Sequence, residues 1–189
     1  MMPKSAARAF GRQQRTQLTE EQVRQLSDSV MNRLDPVWFT YPRHHIFWPI
    51  PEKKEVDTLP LAHQLAEQAK VYLPKMGASG QLTHHPWKPG DTLIQNSWGI
   101  DEPMTEGLST SEFWDQGIPT LVWVPLLAFD RTGYRVGYGK GFYDQFLQNA
   151  QNAFKVGLSL QGPLENELAH DPWDIRLDAC VSPDRIWTF

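Results

Sequence analysis

The sequence predicts an α/β fold, a mostly parallel central sheet with helices on both faces, and three observations carry that expectation. Short apolar runs suited to buried strands recur along the chain, at His45-Ile-Phe-Trp-Pro-Ile50, Val71-Tyr-Leu-Pro74, Thr120-Leu-Val-Trp-Val-Pro125, Lys155-Val-Gly-Leu-Ser159 and Cys180-Val181. Stretches with helical periodicity alternate with them, and alternation of that kind is the mark of parallel strands joined by helical crossovers. No repeat, heptad array, low-complexity tract or linker divides the 189 residues, so one domain over residues 1–189 is expected.

Taken in order, residues 4–17 read as a short basic helix. Thr19 then opens a second helix as its N-cap, Gln22 completes a capping box, and Leu18 and Val23 form a hydrophobic staple. Val23, Leu26, Val30 and Leu34 recur at helical spacing on one face, and Pro36 ends the element. The N-terminal helices thus occupy residues of about 3–35. Asp57 and Thr58 are candidate caps for a helix through Ala69, with Leu61, Leu65 and Ala69 on one face. Residues 76–107 are rich in Gly, Pro, Trp and His without a clear period, and read as loops and short strands. A helix over residues 142–149 follows a glycine loop.

Composition excludes several function classes. Net charge is −4, so no global basic field exists to collect nucleic-acid phosphates. Cys180 is the only cysteine, which rules out an internal disulfide and any zinc-type cysteine spacing and fits a reducing compartment. Residues 1–25 are polar and lack the apolar core of a secretory signal. No apolar run approaches the ~20 residues needed to span a membrane. A soluble, cytoplasmic protein with no membrane or nucleic-acid partner is expected, with a monomer as the expected state. Forty per cent apolar residues suffice for a core, and among eight tryptophans one or two in a pocket would suit stacking on a flat ring.

The segment Arg135-Val-Gly-Tyr-Gly-Lys-Gly-Phe-Tyr-Asp144 carries the chemistry. Gly137, Gly139 and Gly141 alternate, which lets amide N–H groups turn inward and a ligand approach the backbone. A helix N-terminus beyond the loop adds a partial positive charge, and Arg135 and Lys140 add formal charge, so the segment reads as a phosphate cradle. Asp144 is placed to hold Mg²⁺, which takes carboxylate and phosphate oxygens. The spacing is neither that of a Walker A loop nor that of the dinucleotide fingerprint. A glycine-rich structural turn is the competing reading of the loop alone.

Together with Pro125-Leu-Leu-Ala-Phe-Asp130, this segment resembles the signature of the 5-formyltetrahydrofolate cyclo-ligase family. Lys4-Ser-Ala-Ala-Arg8 is similar to that family's N-terminal lysine and arginine pair, and Glu55-Val-Asp-Thr58 to its Glu-x-Asp/Glu-Thr segment. Leu73-Pro74 and Gly99-Ile-Asp-Glu-Pro103 also match. Trp173-Asp-Ile-Arg-Leu-Asp178 resembles its His-Asp-x-x-x-Asp element. The resemblance implies a Rossmann-like three-layer sandwich. It also implies an enzyme that uses ATP as co-substrate, with Mg²⁺, to convert 5-formyltetrahydrofolate to 5,10-methenyltetrahydrofolate, releasing ADP and phosphate. It implies ATP contacts at Lys4, Arg8 and the loop Arg135, Val136, Gly137, Tyr138, Gly139, Lys140, Gly141, Phe142 and Tyr143. On the same resemblance Arg135 and Lys140 are expected to supply catalytic charge, Asp144 and Asp174 to hold the metal, and Ile50, Glu55, Trp98 and Phe142 to meet the folate.

Two positions depart from the family. Phe142 replaces the first of two tyrosines, and Trp173 stands where histidine is common. The pair His170-Asp171 makes Asp171 a competitor for the second metal position, although the spacing of Asp174 to Asp178 fits the family better. Asp130 is expected to orient a turn rather than to bind metal. The histidine pairs His44-His45 and His84-His85 lack a third ligand at metal spacing and read as surface or loop residues. Two other functions compete: a non-catalytic nucleotide- or phosphate-binding regulatory module, and a sugar-phosphate isomerase. ATP turnover separates both from the ligase.

Overall fold

The computed structural model describes residues 1–77, 80–97 and 99–189. Helix α1, Lys4–Gln17, has no side-chain cap and is held by its buried face of Ala7, Gly11 and Arg15. Gly11 has no substitute there, because a Cβ would lie 2.4 Å from the Leu127 carbonyl oxygen. The chain then enters α2, Glu20–Met31, through the expected capping box: the Gln22 N–H donates to Thr19 Oγ1 and the Thr19 N–H to Gln22 Oε1. Val30 is buried, and Leu18, Val23, Leu26 and Leu34 pack against the same core.

Strand β1, Arg43–His45, and helix α3, Leu59–Ala66, lead to β2, Lys70–Met76. The strand expected at residues 45–50 therefore lies earlier. The Ile46 N–H still bonds Tyr72 O, but Pro49 has no N–H to continue a ladder, and Ile46, Phe47 and Ile50 are buried as loop. An apolar run reports burial, which a loop crossing the core satisfies as well as a strand. Residues 76–107 contain β3, Leu82–Trp87, and the hairpin β4–β5, Leu93–Gln95 and Asp101–Pro103. Helix α4, Thr110–Asp115, comes next, capped by Ser109.

Strand β6 spans Thr120–Pro125 as expected. It is followed by the small ladder β7–β8, Ala128–Phe129 with Arg135–Val136, and by α5, Phe142–Leu147, which is shorter than the expected 142–149. Strands β9, Ala153–Leu158, β10, Ala179–Val181, and β11, Ile186–Thr188, complete the chain.

Among the described residues the main sheet has the order β11-β10-β9-β6-β1-β2-β3, with the five inner strands parallel and both edge strands antiparallel. Alternation along β6 shows the three layers. Leu121 and Trp123 point into a cluster with Val30 of α2 and Leu61 and Leu65 of α3. Val122 and Val124 point into another with Phe113 of α4 and Phe146 of α5. From the adjacent strands β1 and β6 the chain proceeds outward in opposite directions. Their carboxyl ends thus open a crevice at a topological switch point, where open α/β sheets bind ligands.

The histidine pairs are not on the surface. His44, His45 and His84 are fully buried and His85 nearly so. His84 hydrogen-bonds His45 through Nδ1 at 3.0 Å and Thr110 through Nε2 at 2.9 Å, and the Trp123 indole N–H donates to His44 Nδ1. Their neighbours are β-strand and aromatic residues, so they serve as polar core. Asp130 does orient a turn: its Oδ1 accepts from the N–H groups of Thr132 and Tyr134 and from the Thr132 hydroxyl.

Candidate active site

A cavity of about 480 Å³ opens at the switch point, within the size range of small-ligand sites. Its walls come from the start of α1, the loop after β1, the ends of β2 and β6, the β4–β5 turn, the segment from β8 into α5, and the turn at Trp173-Asp174. Lys4, Arg8, Ile50, Asp174 and every residue from 135 to 144 reach it, so nearly all the positions singled out in the sequence converge. Glu55 lies behind the wall, and Trp98 lies outside the described residues. A larger cleft of about 790 Å³ between α4 and α5 has no basic side chain on its walls and lacks the means to hold a phosphate.

The glycine loop takes its shape from two left-handed residues, Gly139 at φ 100° and Gly141 at φ 71°. A side chain at either position would be strained. Gly141 is also the residue from which α5 starts. With only six residues, α5 has a short run of aligned peptide dipoles, so the positive field of the cavity comes mainly from formal charges. Arg8 Nε donates to the Gly137 carbonyl at 3.2 Å, fastening α1 to the loop. Lys140 is exposed at the loop tip.

Arg135 is the buried cation, with its side chain 5% exposed. Its guanidinium donates to Asp144 Oδ1 at 3.1 Å and to the Ile175 carbonyl. Burial pulls its pKa down and Asp144 pushes it back up; a guanidinium stays charged under both influences. The Ile175 N–H donates to the same Asp144 oxygen. Lys4 Nζ pairs with Asp171 Oδ2 at 2.7 Å and with Asp174 Oδ2. Burial lowers the Lys4 pKa, but the hydrogen bonds it donates to both carboxylates, with their charge, outweigh that and the net shift is upward.

Among the described residues Asp144 is bonded only through Oδ1 and Asp174 only through Oδ2, which leaves one oxygen of each unengaged. No group of three or more His, Cys, Asp or Glu side chains forms a metal cage among those residues. Magnesium does not need one, because it is usually held by one or two carboxylates plus substrate phosphates. Asp144 and Asp174 fit that donor set, and Lys4 bridges Asp174 to its competitor Asp171.

Glu55 is 6% exposed and both its oxygens are occupied. Oε2 accepts the Ile50 N–H at 2.9 Å and Oε1 accepts the Tyr138 hydroxyl at 2.8 Å. Burial raises its pKa, opposed by Arg15, whose Nη1 lies 4.0 Å away, and by the Ile50 and Tyr138 bonds. Arg15 was not singled out in the sequence, yet it donates to the Tyr138 hydroxyl at 3.0 Å and to the carbonyls of Lys53 and Leu126. Its signal was spacing: residues 4, 8 and 15 share one helical face. Glu55, Tyr138 and Arg15 therefore lock the loop after β1, the glycine loop and α1 into one wall.

The chain matches the model of the 5-formyltetrahydrofolate cyclo-ligase family over residues 1–183. It belongs to that family. The 5-formyltetrahydrofolate cyclo-ligase of Escherichia coli K12 is 34% identical over 185 residues, 93% of this chain and 98% of the E. coli protein. A probable 5-formyltetrahydrofolate cyclo-ligase of Schizosaccharomyces pombe is 32% identical over 148 residues, 71% of this chain and 72% of the yeast protein. The solved structure of Aquifex aeolicus 5,10-methenyltetrahydrofolate synthetase superposes with a TM-score of 0.75 at 28% identity, covering 98% of this chain and 92% of that one. Cyclo-ligase family membership makes the chain an enzyme, and its Rossmann-like three-layer architecture is that of a solved synthetase.

Proposed function

We propose that the protein cyclises 5-formyltetrahydrofolate to 5,10-methenyltetrahydrofolate with ATP and Mg²⁺, in the reducing environment of the cytoplasm. The observation that supports this reading is the mixed lining of the switch-point cavity. It brings Lys4, Arg8, Arg135 and two carboxylates together with Ile50, Met76 and Phe142. The charged groups suit a polyphosphate, and the apolar ones suit a flat, largely apolar ring.

An N-formyl amide is a poor electrophile. In the proposed reaction its oxygen attacks the γ-phosphorus of ATP and ADP leaves. N10 then attacks the formyl carbon, loses its proton, and the C–O bond breaks to release phosphate. Positioning and charge neutralisation do most of the work in phosphoryl transfer. Buried Arg135 supplies fixed positive charge, Lys140 adds an exposed charge at the loop tip, and Arg8 holds the loop to α1. Asp144 and Asp174 would hold Mg²⁺, which when bound neutralises phosphate charge. Phe142 and Ile50 offer apolar surface to the pterin, with Glu55 setting the position of Ile50 from behind.

The test is the appearance of methenyl-folate absorbance from purified protein, 5-formyltetrahydrofolate, ATP and Mg²⁺. Product that forms equally well without ATP, or no product from folded protein, would sink the reading.

A further inference from the structure

We infer that Trp173 is the stacking platform for the purine base of the nucleotide, an inference that rests on the ATP reading above. Trp173 lines the cavity, yet it is 63% exposed. Among the described residues no hydrogen bond and no aromatic contact engages it. An isolated large apolar side chain held at the mouth of a site is available surface, and an indole presents the broadest flat face of any side chain.

The backbone beneath it is fixed. The Asp174 N–H donates to Asp171 O, the Asp171 N–H to Asp174 Oδ2, and the Ile175 N–H to Asp144 Oδ1. Trp173 thus sits inside a bonded turn whose flanking carboxylates hold Lys4. Binding loses less entropy on such a support than on a free loop.

Position and size select the base over the pterin. Trp173 lines the cavity directly before Asp174, whose carboxylate pairs with Lys4. A base is joined to its phosphates through one sugar, so phosphates seated against Lys4 and Arg135 leave the base within reach of Trp173. A cavity of about 480 Å³ also holds roughly one drug-sized ligand. Two substrates exceed it, and part of one must lie at the rim, where Trp173 is.

Calorimetric titration of the full protein with a non-hydrolysable ATP analogue and Mg²⁺, without folate, tests the assignment. Trp173→Ala is expected to raise the dissociation constant about tenfold, equivalent to ~1.4 kcal/mol, and Trp173→Phe to recover most of that loss. Inorganic tripolyphosphate, which has no base, is expected to bind wild type and Trp173→Ala alike, and the KM for folate to stay unchanged. Equal analogue affinity in wild type and Trp173→Ala would overturn the inference. So would a parallel loss of tripolyphosphate binding, which would make Trp173 a support for the charged turn, or a rise in folate KM instead. Wild-type protein that binds no nucleotide would overturn the ATP reading and the inference with it.

Discussion

The Tyr138 hydroxyl accepts from Arg15 and donates to Glu55, so one oxygen joins α1, the loop after β1 and the glycine loop. Tyr138→Phe removes only that atom and leaves a buried carboxylate short of a donor. The expected cost is about 1–3 kcal/mol of unfolding free energy in a urea titration; no change would mean that the hydroxyl is not holding the wall together. Asp144→Ala releases Arg135 and the Ile175 N–H at a half-buried position. The protein should stay folded but lose most Mg²⁺-dependent turnover, and retained activity would place the metal elsewhere. Lys140, being exposed, gives the cleanest functional probe. Lys140→Ala should leave stability within ~0.5 kcal/mol and raise the KM for ATP above any effect on folate. Equal losses for both substrates would contradict its placement on the phosphates.

At the scale of elements, α1 positions Lys4, Arg8 and Arg15 together, and Gly11 sets how closely it approaches the loop after β6. Helix propensity alone favours alanine over glycine by about 1 kcal/mol. Against that, a Cβ at Gly11 meets the Leu127 carbonyl oxygen at 2.4 Å and its carbon at 2.9 Å, backbone atoms with little freedom to yield. Overpacking of this kind costs about 1–3 kcal/mol, so steric cost should win. Gly11→Ala is expected to lower the thermal midpoint and raise the KM for ATP as Arg8 and Lys4 shift; a stabilised variant would show that α1 slides freely. Much of this organisation was legible in the sequence. The capping box of α2, strand β6 and the glycine loop follow local rules, because a cap or a short continuous apolar run bounded by breakers is decided by near neighbours. Strand β1, helix α4 and strand β11 were not legible at their true places, because short elements are fixed by the sheet around them. The motif marked Lys4, Arg8 and the loop, which the fold brings to one cavity. Arg15 shares the helical face of Lys4 and Arg8, but spacing alone does not tell an arginine in solvent from one buried against Tyr138. For Glu55 the motif marked the position, while its occupation by Ile50 and Tyr138 depends on two loops meeting.

The whole molecule carries its least expected feature in the middle of the sheet. His45 and His84 pack against Phe113 of α4 and Phe146 of α5, His44 lies on the opposite face of the sheet against Trp123, and burial holds all three neutral. The pKa of His84 is pushed down to about 3 and that of His44 to about 4; His45 also falls well below its usual value through burial, with His84 and Arg43 adding to the effect. A group depressed on folding binds more protons in the unfolded chain, so stability is complete above the unfolded value near 6.5 and is lost as pH falls toward the folded values. Glu55 runs the other way, since its raised pKa makes the native state bind a proton more readily above pH 4.5, but it is one group against three. Each histidine contributes a slope approaching ~1.4 kcal/mol per pH unit once its unfolded form is protonated. Three such slopes over two units are comparable to the ~5–15 kcal/mol that holds a domain together. Urea titrations at pH 7, 6 and 5 should therefore show a steep fall in stability and uptake of more than one proton on unfolding, with acid unfolding under way before pH 4. Replacing His84 with glutamine, which keeps hydrogen-bonding capacity without titrating, should reduce the slope by about one proton. A stability that stays flat between pH 6.5 and 5 would mean that the histidines are reached by water and titrate in the native fold as they do in the unfolded chain.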